Sequence, residues 1–281
     1  MSEAAVNQQA ASRWGYWFSR NPDKAWGEKF FLAYIPYFFG LNGAKQAMGW
    51  MNVNTFWHVA QNVALLLPLI IIPAIFRPAK TGRAWWDNYA VKMVLWMFVY
   101  NFVATYFLTE YFFDVLGMVY YFPQVTLSLD SALLGSGQQV VPVGMYFNAP
   151  AFFVVYHTLA VLMMRRVLTL PLGVLRPLLT VVVVVSVAYL MAYLETRMVA
   201  TDANAPYFKY NDLAFMLKYG SMFYACYFIP SFPLVFGLEE NKGDIWPVRK
   251  IVLEALAAGM LAFILVDFAT HFMRAFSGVA V

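Results

Sequence analysis

Two carboxylates lie inside apolar stretches long enough to cross a lipid bilayer, and they are the residues best suited to acid–base chemistry. Glu195 lies near the end of the apolar run 175–196, and Asp267 lies within the run 257–272. An ionised carboxylate is costly at membrane depth, so such a residue faces protein or water, or keeps its proton. A buried carboxyl group that stays protonated at neutral pH can donate that proton to an apolar substrate. We therefore interpret Glu195 as a candidate proton donor.

Glu195 also has a competing interpretation. Arg197 follows two positions later and offers an ion pair that would keep the carboxylate ionised and serve only to hold helices together. Tyr189 and Tyr193 precede Glu195 and supply aromatic surface beside it. On the sequence alone, the proton-donor hypothesis and the ion-pair alternative both stay open.

Three other polar groups at membrane depth have two interpretations each. His157 lies well inside an apolar segment and is either a hydrogen-bonded core residue or a ligand contact and proton relay. Asp267 and His271 are four positions apart and share a helix face, which indicates either a functional pair or an ordinary pair near the membrane surface. Asn101 belongs to a polar stripe that must face the bundle interior or a wet cavity.

The elements that position these groups follow from composition. The chain has 281 residues, of which 62% are hydrophobic and 12% are charged, whereas a soluble domain carries roughly 25% charged residues. This predicts an all-α, polytopic membrane bundle. The net charge of +4 includes no basic run of the kind that binds nucleic acid. One Cys, three unpaired His and no glycine-rich phosphate loop predict that neither a metal nor a cofactor is bound.

Seven segments are long and apolar enough to be candidate membrane helices, since a spanning helix needs about 20 apolar residues. The first is the weakest because it contains Pro36, Gly40 and Lys45, which makes a broken or re-entrant segment an alternative. We divide the chain into an N-terminal cytoplasmic or interfacial arm, 1–27, and one transmembrane domain, 28–281. The predicted spans are 29–50, 55–76, 89–116, 146–168, 174–196, 213–237 and 249–273.

The distribution of Lys and Arg predicts the orientation of these spans. The N-terminal arm and the second, fourth and sixth connections are richer in Lys and Arg than the others, although Lys45 breaks the alternation. The positive-inside rule then places the N-terminus in the cytoplasm and the C-terminus on the other side. The weakly charged loop 123–142 is expected on the non-cytoplasmic face.

Short strings spread along nearly the whole chain occur together and in order. They occupy residues 21–32, 86–89, 91–92, 95–96, 109–113, 115–117, 156–157, 165–166, 192–196, 223–225, 227–229 and 231–233, followed by Asp267 in the last apolar run. In these strings the chain resembles the cycloeucalenol cycloisomerases, the cyclopropyl-sterol isomerases of plants. No single string is a known catalytic signature, and the specificity lies in their combination.

The chain departs from the plant pattern at two acidic positions. That pattern has His where this chain has Glu110 and Lys where it has Asp114. These two carboxylates are therefore not expected to perform chemistry shared with the family. The loop 123–142 is also longer here, which leaves room for a different preference for the sterol side chain.

The resemblance implies an isomerase that opens the 9β,19-cyclopropane ring of a sterol, as in the conversion of cycloeucalenol to obtusifoliol, without redox change. Ring opening needs a proton on the bridging carbon, a wall that tolerates the carbocation formed beside it, and loss of a neighbouring proton to leave the 8,9 double bond. We predict Glu195 as the acid and as a candidate base, with His157 and Asp267 as a relay or second base. The predicted substrate-binding residues are Trp96, Asn101, Tyr193, Tyr224 and Tyr227.

Two further functions fit the same residues. A sterol double-bond isomerase needs the same acid and base, and a sterol-binding or transport protein needs the pocket without the chemistry. The predicted partners are a cyclopropyl sterol and the lipid bilayer, and protein partners are left open. The predicted location is the endoplasmic reticulum membrane or a bacterial inner membrane.

Overall fold

The structure, a computed structural model, describes residues 15–77 and 82–277, which form a bundle of seven long helices. The predicted all-α helical bundle is confirmed. Short 3₁₀ turns at Trp85–Asp87 and Gly173–Leu175 precede the third and fifth helices. The seven helices are α1 (Pro22–Ala47), α2 (Thr55–Phe76), α3 (Tyr89–Leu116), α4 (Met145–Leu168), α5 (Arg176–Val199), α6 (Leu213–Gly237) and α7 (Val248–Ser277).

Within the described ranges, the six helices α2 to α7 are long and apolar enough to cross a membrane. The weakest predicted span, 29–50, overlaps α1, which ends at Ala47 and is not among these six. Helix α1 is continuous through Pro36 and carries charged residues near both ends. Large apolar side chains such as Phe76, Leu178 and Ile264 are exposed on the outer faces of α2, α5 and α7. Such apolar outer faces are expected of helices that contact lipid tails.

Helix α4 forms the centre of the bundle, because it packs against α1, α2, α3, α5 and α6. Helix α7 packs against α3 and α6. Close approach of α1 to α3 depends on Gly27, since an added Cβ there would lie 2.6 Å from the ring of Tyr89. A larger residue at this position would push the two helices apart.

The predicted boundary between arm and membrane domain at residue 28 lies inside α1, which begins at Pro22. Asn21 caps this helix, since its side chain accepts from the backbone N–H of Asp23 at 3.1 Å. The Asn21 amide also donates to the carbonyl of Glu239 at 3.0 Å, beyond the end of α6. The chain just before α1 is thus attached to the α6–α7 connection, and residues 1–14 of the predicted arm lie outside the described residues.

A small antiparallel sheet, which the sequence did not predict, joins two of the loops. Strand β1 (Met118–Tyr120) pairs with β2 (Phe208–Tyr210), with Met118 opposite Tyr210 and Tyr120 opposite Phe208. Helix α3 ends at Gly117, whose φ of 65° is the left-handed conformation that favours glycine, and the chain reverses there into β1.

Two of the helices contain a π-helical turn. In α3 this turn covers Ala104–Leu108, and in α6 it covers Met216–Gly220. A π turn inserts one residue into the α-helical register, and such turns are frequent at functional sites. Both turns lie within about one helical turn of residues that line the cavity described next.

Candidate active site

A cavity of about 140 Å³ lies among α3, α4, α5 and α6, and strands β1 and β2 contribute to its wall. Four of the residues predicted from the sequence line it together: Asn101, Glu195, Tyr224 and Tyr227. They come from three different helices, α3, α5 and α6. The remaining lining is mostly aromatic and apolar, which suits an uncharged, hydrophobic ligand.

Glu195 is the only carboxylate in this lining among the described residues. The phenol of Tyr224 donates a short hydrogen bond to its Oε2 atom. No ion pair joins Glu195 to Arg197, which is exposed, or to any other cation in the described part of the chain. The ion-pair alternative for Glu195 is therefore absent from the structure.

Aromatic rings form most of the wall around this carboxyl group. The ring of Phe112 meets the rings of Tyr224 and Tyr227 edge-on, at centroid distances of 4.8 Å and 5.3 Å. Burial raises the pKa of Tyr120 and of Tyr210 above the ordinary phenol value, and the nearby Glu195 carboxylate adds to the shift. Both phenols are therefore neutral at physiological pH, so the wall presents ring faces and hydroxyl groups without a further charge.

Asn101 brings an unpartnered acceptor to the cavity. Its amide nitrogen donates to the Met97 carbonyl oxygen at 2.8 Å, whereas its Oδ1 atom is buried and has no hydrogen-bond partner among the described residues. The π turn that begins at Ala104 follows Asn101 by less than one helical turn, and Thr105 from this turn also lines the cavity. An unsatisfied buried acceptor is costly, and a donor on a ligand would relieve that cost.

Two predicted site residues, Trp96 and His157, lie in the core outside the cavity lining. The Trp96 ring stacks on Tyr100 and is 6.0 Å from the His157 ring. His157 Nδ1 is 2.8 Å from the Phe153 carbonyl oxygen, and its Nε2 is 2.9 Å from the hydroxyl of Ser231. Both ring nitrogens thus have partners within the core, and a relay role for His157 stays a prediction.

The other two predicted residues, Asp267 and Tyr193, also lie outside the cavity lining. Asp267 is exposed on α7, where its Oδ1 atom accepts from the hydroxyl of Tyr111 at 2.6 Å. Tyr193 stacks on Tyr189, with ring centroids 6.3 Å apart, and does not line the cavity. The structure therefore places neither Asp267 nor Tyr193 beside Glu195 in the cavity wall.

The sequence reasoning missed the cavity residues that come from the sheet and from the start of α4. Tyr120, Phe208 and Tyr210 enter the wall because the side chains of β1 and β2 alternate between two faces. Asn148 enters it from the first turn of α4. The available signal is the polar Lys209 between two aromatic residues in 208–210, but strands of three residues are too short to be predicted from sequence.

A second cavity, of about 260 Å³, adjoins the first. Pockets for drug-sized ligands span about 300–1,000 Å³. Either cavity alone is smaller than this range, and the two together exceed its lower limit. The residues that line both cavities are Tyr120, Met145, Asn148, Phe152, Val199 and Phe208.

The sequence reasoning also missed a group of paired charges in which Lys24, Glu28 and Arg165 are buried and Glu240 is half-buried. We call these four residues the charged cluster. Arg165 lies 2.6 Å from Glu28 and 2.7 Å from Glu240, and Lys24 lies 2.9 Å from Glu240. Burial lowers the pKa of Lys24 to about 8, although Glu240 opposes that shift. Arg165 and Lys24 in turn outweigh burial and hold the pKa of Glu240 below its ordinary value.

This cluster ties the start of α1 to the end of α4 and the end of α6. In the sequence, Lys24 and Arg165 contribute to the topology pattern and to the strings of the resemblance, and a basic residue inside a helix as apolar as α4 is the signal that indicates burial.

Within the described ranges, no group of three His, Cys, Asp or Glu side chains is arranged to hold a metal ion.

Comparison with known proteins bears on the identity of this bundle. The chain is 33% identical to the cycloeucalenol cycloisomerase of Arabidopsis thaliana over 259 residues, which is 89% of this chain and 87% of that protein. The chain belongs to the cycloeucalenol cycloisomerase family. This membership confirms the resemblance seen in the short strings. No protein-family model matches the chain, and no solved structure matches it.

Proposed function

We propose that this protein is a membrane-embedded isomerase that opens the 9β,19-cyclopropane ring of a sterol, with Glu195 as the proton donor. The observation that carries the proposal is the environment of Glu195, a carboxyl group that lines a largely aromatic cavity without a cationic partner among the described residues. The name of the Arabidopsis relative supports the substrate class. Apolar helices long enough to span a membrane support the location, and either the endoplasmic reticulum or a bacterial inner membrane would provide it.

The first step transfers the proton of Glu195 to the bridging CH₂ carbon. A C–H bond forms there as the bond between this carbon and C9 breaks, so the bridge becomes the angular methyl group and C9 becomes a carbocation. Tyr224 donates to one carboxyl oxygen and stabilises the carboxylate that results. A general acid of this kind contributes roughly 10²–10⁴-fold to a rate.

The aromatic wall stabilises the carbocation that this step forms at C9. A ring face attracts a nearby cation by roughly 0.5–2 kcal/mol, and Phe112, Tyr224 and Tyr227 all lie in the wall. The neutral phenols of Tyr120 and Tyr210 add hydrogen-bonding capacity without an anion that would trap the cation.

The second step removes the proton from C8 and leaves the 8,9 double bond. The carboxylate of Glu195 accepts this proton, which restores the acid for the next turnover and balances the reaction. The product has the mass of the substrate, so no electron or group is exchanged with a co-reactant. Because one residue performs both transfers, both protons must lie on the same face of the sterol.

The test is product analysis with the purified protein in lipid nanodiscs. Wild-type protein supplied with a 9,19-cyclosterol is expected to give an isomer of unchanged mass with a new angular methyl signal in the NMR spectrum. Glu195→Gln keeps the shape of the side chain but has no acidic proton, and we expect it to lower turnover by roughly 10²–10⁴-fold while sterol binding persists.

Three outcomes would contradict this proposal. Turnover retained by a folded Glu195→Gln variant excludes Glu195 as the donor. Migration of a ring double bond in a sterol without a cyclopropane, with no cyclosterol conversion, indicates a double-bond isomerase. Recovery of every sterol unchanged after long incubation indicates a binding or transport protein.

A further inference from the structure

The second cavity carries polar side chains that the proposed reaction does not use. Lys45 and His58 are only 5% and 6% exposed, and both line this cavity together with Asn62 and Asn148. We call these four residues the polar cluster. They come from α1, α2 and the first turn of α4, so three separate helices direct polar atoms into one space.

The hydrogen bonds within the polar cluster leave several of its groups unsatisfied. Lys45 Nζ donates to Asn62 Oδ1 at 3.0 Å, and the same oxygen accepts from the Asn148 amide at 2.9 Å. In the described part of the chain, no carboxylate pairs with Lys45 and no group accepts its other two protons. His58 Nδ1 is also buried without a partner there. Unpaired buried polar groups are costly, which indicates that a ligand completes this site.

The polar cluster lies a short distance from Glu195. Val199 follows Glu195 by four residues, so it lies on the same face of α5 about 6 Å further along the axis. Val199 lines both cavities, and Met198, three positions after Glu195, lines only the second. Asn148 also lines both cavities and belongs to the polar cluster. A rigid ligand that reaches Glu195 can therefore reach the polar cluster as well.

We propose that the polar cluster binds the hydroxyl group on the first ring of the sterol and thereby sets the cyclopropane against Glu195. This inference rests on the proposed function. An alcohol oxygen accepts two hydrogen bonds and donates one, so it accepts from the free ammonium protons of Lys45 and donates to the side-chain oxygen Oδ1 of Asn148. The hydroxyl carbon and the ring-fusion carbon that carries the bridge face each other across one six-membered ring, which agrees with the short separation along α5.

The experiment compares a 9,19-cyclosterol with its 3-deoxy analogue, which lacks only the hydroxyl group. In the wild type, we expect KM for the deoxy compound to be roughly 10- to 100-fold higher, the range for a hydrogen bond to a charged group. In Lys45→Met, KM for the hydroxy sterol is expected to rise to the deoxy value. KM for the deoxy sterol should stay unchanged, so the ratio of the two KM values falls to about one.

A matched control is Lys209→Met, at an exposed lysine of β2 between the cavity residues Phe208 and Tyr210. This variant should keep the wild-type ratio. Asn148→Leu serves as a second variant of the polar cluster if Lys45→Met does not fold, and it should also lower the ratio. Melting curves in detergent verify that each variant is folded.

Equal KM values for the two sterols in the wild type, or a wild-type ratio in folded Lys45→Met, would overturn the hydroxyl assignment while cyclosterol conversion continued. If the wild type converts neither sterol, the proposed function fails instead. The Kd values of the two radiolabelled sterols for the wild type and Lys45→Met then decide the role of the polar cluster, because they need no turnover.

Discussion

The charged cluster and the Glu195 cavity surround their carboxyl groups with opposite kinds of partner. In the charged cluster, Glu28 and Glu240 each meet Arg165, and Glu240 also meets Lys24. In the cavity, Glu195 has a phenol as its partner and no cation among the described residues. Arg165 and Lys24 hold the pKa of Glu240 below its ordinary value, and the ion pairs of the cluster fix the positions of helices. A carboxyl group without a cation in an apolar wall is free to exchange a proton. Burial alone therefore does not show that a carboxyl group is catalytic. The groups that contact it determine whether it can donate a proton.

The largest expected effect concerns the charged cluster. Arg165→Ala leaves Glu28 buried without its partner, and losing one member of a buried ion pair costs roughly 3–5 kcal/mol. We expect the free energy of unfolding in detergent to fall by about this amount, with activity lost only in proportion to unfolded protein. Urea titration followed by tryptophan fluorescence measures the change.

The neighbouring Arg166 provides the control, since it donates to the Gly15 carbonyl oxygen at 3.0 Å and pairs with no carboxylate in the described ranges. Arg166→Ala should cost less than about 1.5 kcal/mol, the worth of one hydrogen bond. Equal stabilities for the two variants would show that the charged cluster does not hold the bundle together.

The second prediction concerns the hydrogen bond at Glu195. Tyr224→Phe removes the donor to Oε2 and keeps the aromatic ring, so we expect kcat to fall by roughly 10-fold, about 1.4 kcal/mol. Stability should change little. Single-turnover ring opening, followed by gas chromatography, measures the rate.

Tyr193→Phe is the matched control for this change. This variant also removes one phenol hydroxyl, and Tyr193 lies two positions before Glu195 on α5. Unlike Tyr224, however, Tyr193 does not line the cavity. Its rate should equal that of the wild type. An equal loss of rate in the two variants would indicate that Tyr193 contacts the substrate, and it would contradict the assignment of this cavity as the active site.

The smallest expected effect is at Asp267. Its carboxylate is exposed and accepts from Tyr111 outside the cavity, so Asp267→Asn should change turnover by less than about 2-fold, as surface substitutions usually do. The same product assay measures it. A loss comparable to that of Glu195→Gln would show that Asp267, and not only Glu195, moves a proton in the reaction.

The sequence predicted most of the helices because their signal is local. The predicted spans 55–76, 89–116 and 213–237 have the bounds of α2, α3 and α6, since a bilayer demands a long apolar run that composition alone reveals. The sheet could not be found in the same way. Strands β1 and β2 have three residues each and are stabilised by a partner far away in the chain.

The candidate site shows the same division. Placing Glu195 at membrane depth needed only its neighbours in the chain, and so did the choice of Tyr224 and Tyr227 as aromatic candidates. Trp96, His157 and Tyr193 were equally reasonable by type and depth, yet they lie outside the cavity lining. The rotation of each helix about its axis separates these two groups, and that rotation depends on packing against neighbouring helices.

The chain by itself determined that an acid would lie within an apolar helix and that aromatic side chains would be available around it, because the membrane acts on each segment separately. Only the tertiary structure decided which carboxyl group lines a cavity without a cationic partner among the described residues. Pairing depends on side chains brought together from distant segments: Arg165 reaches Glu28 and Glu240 across the bundle, while in the described residues only the phenol of Tyr224 reaches Glu195.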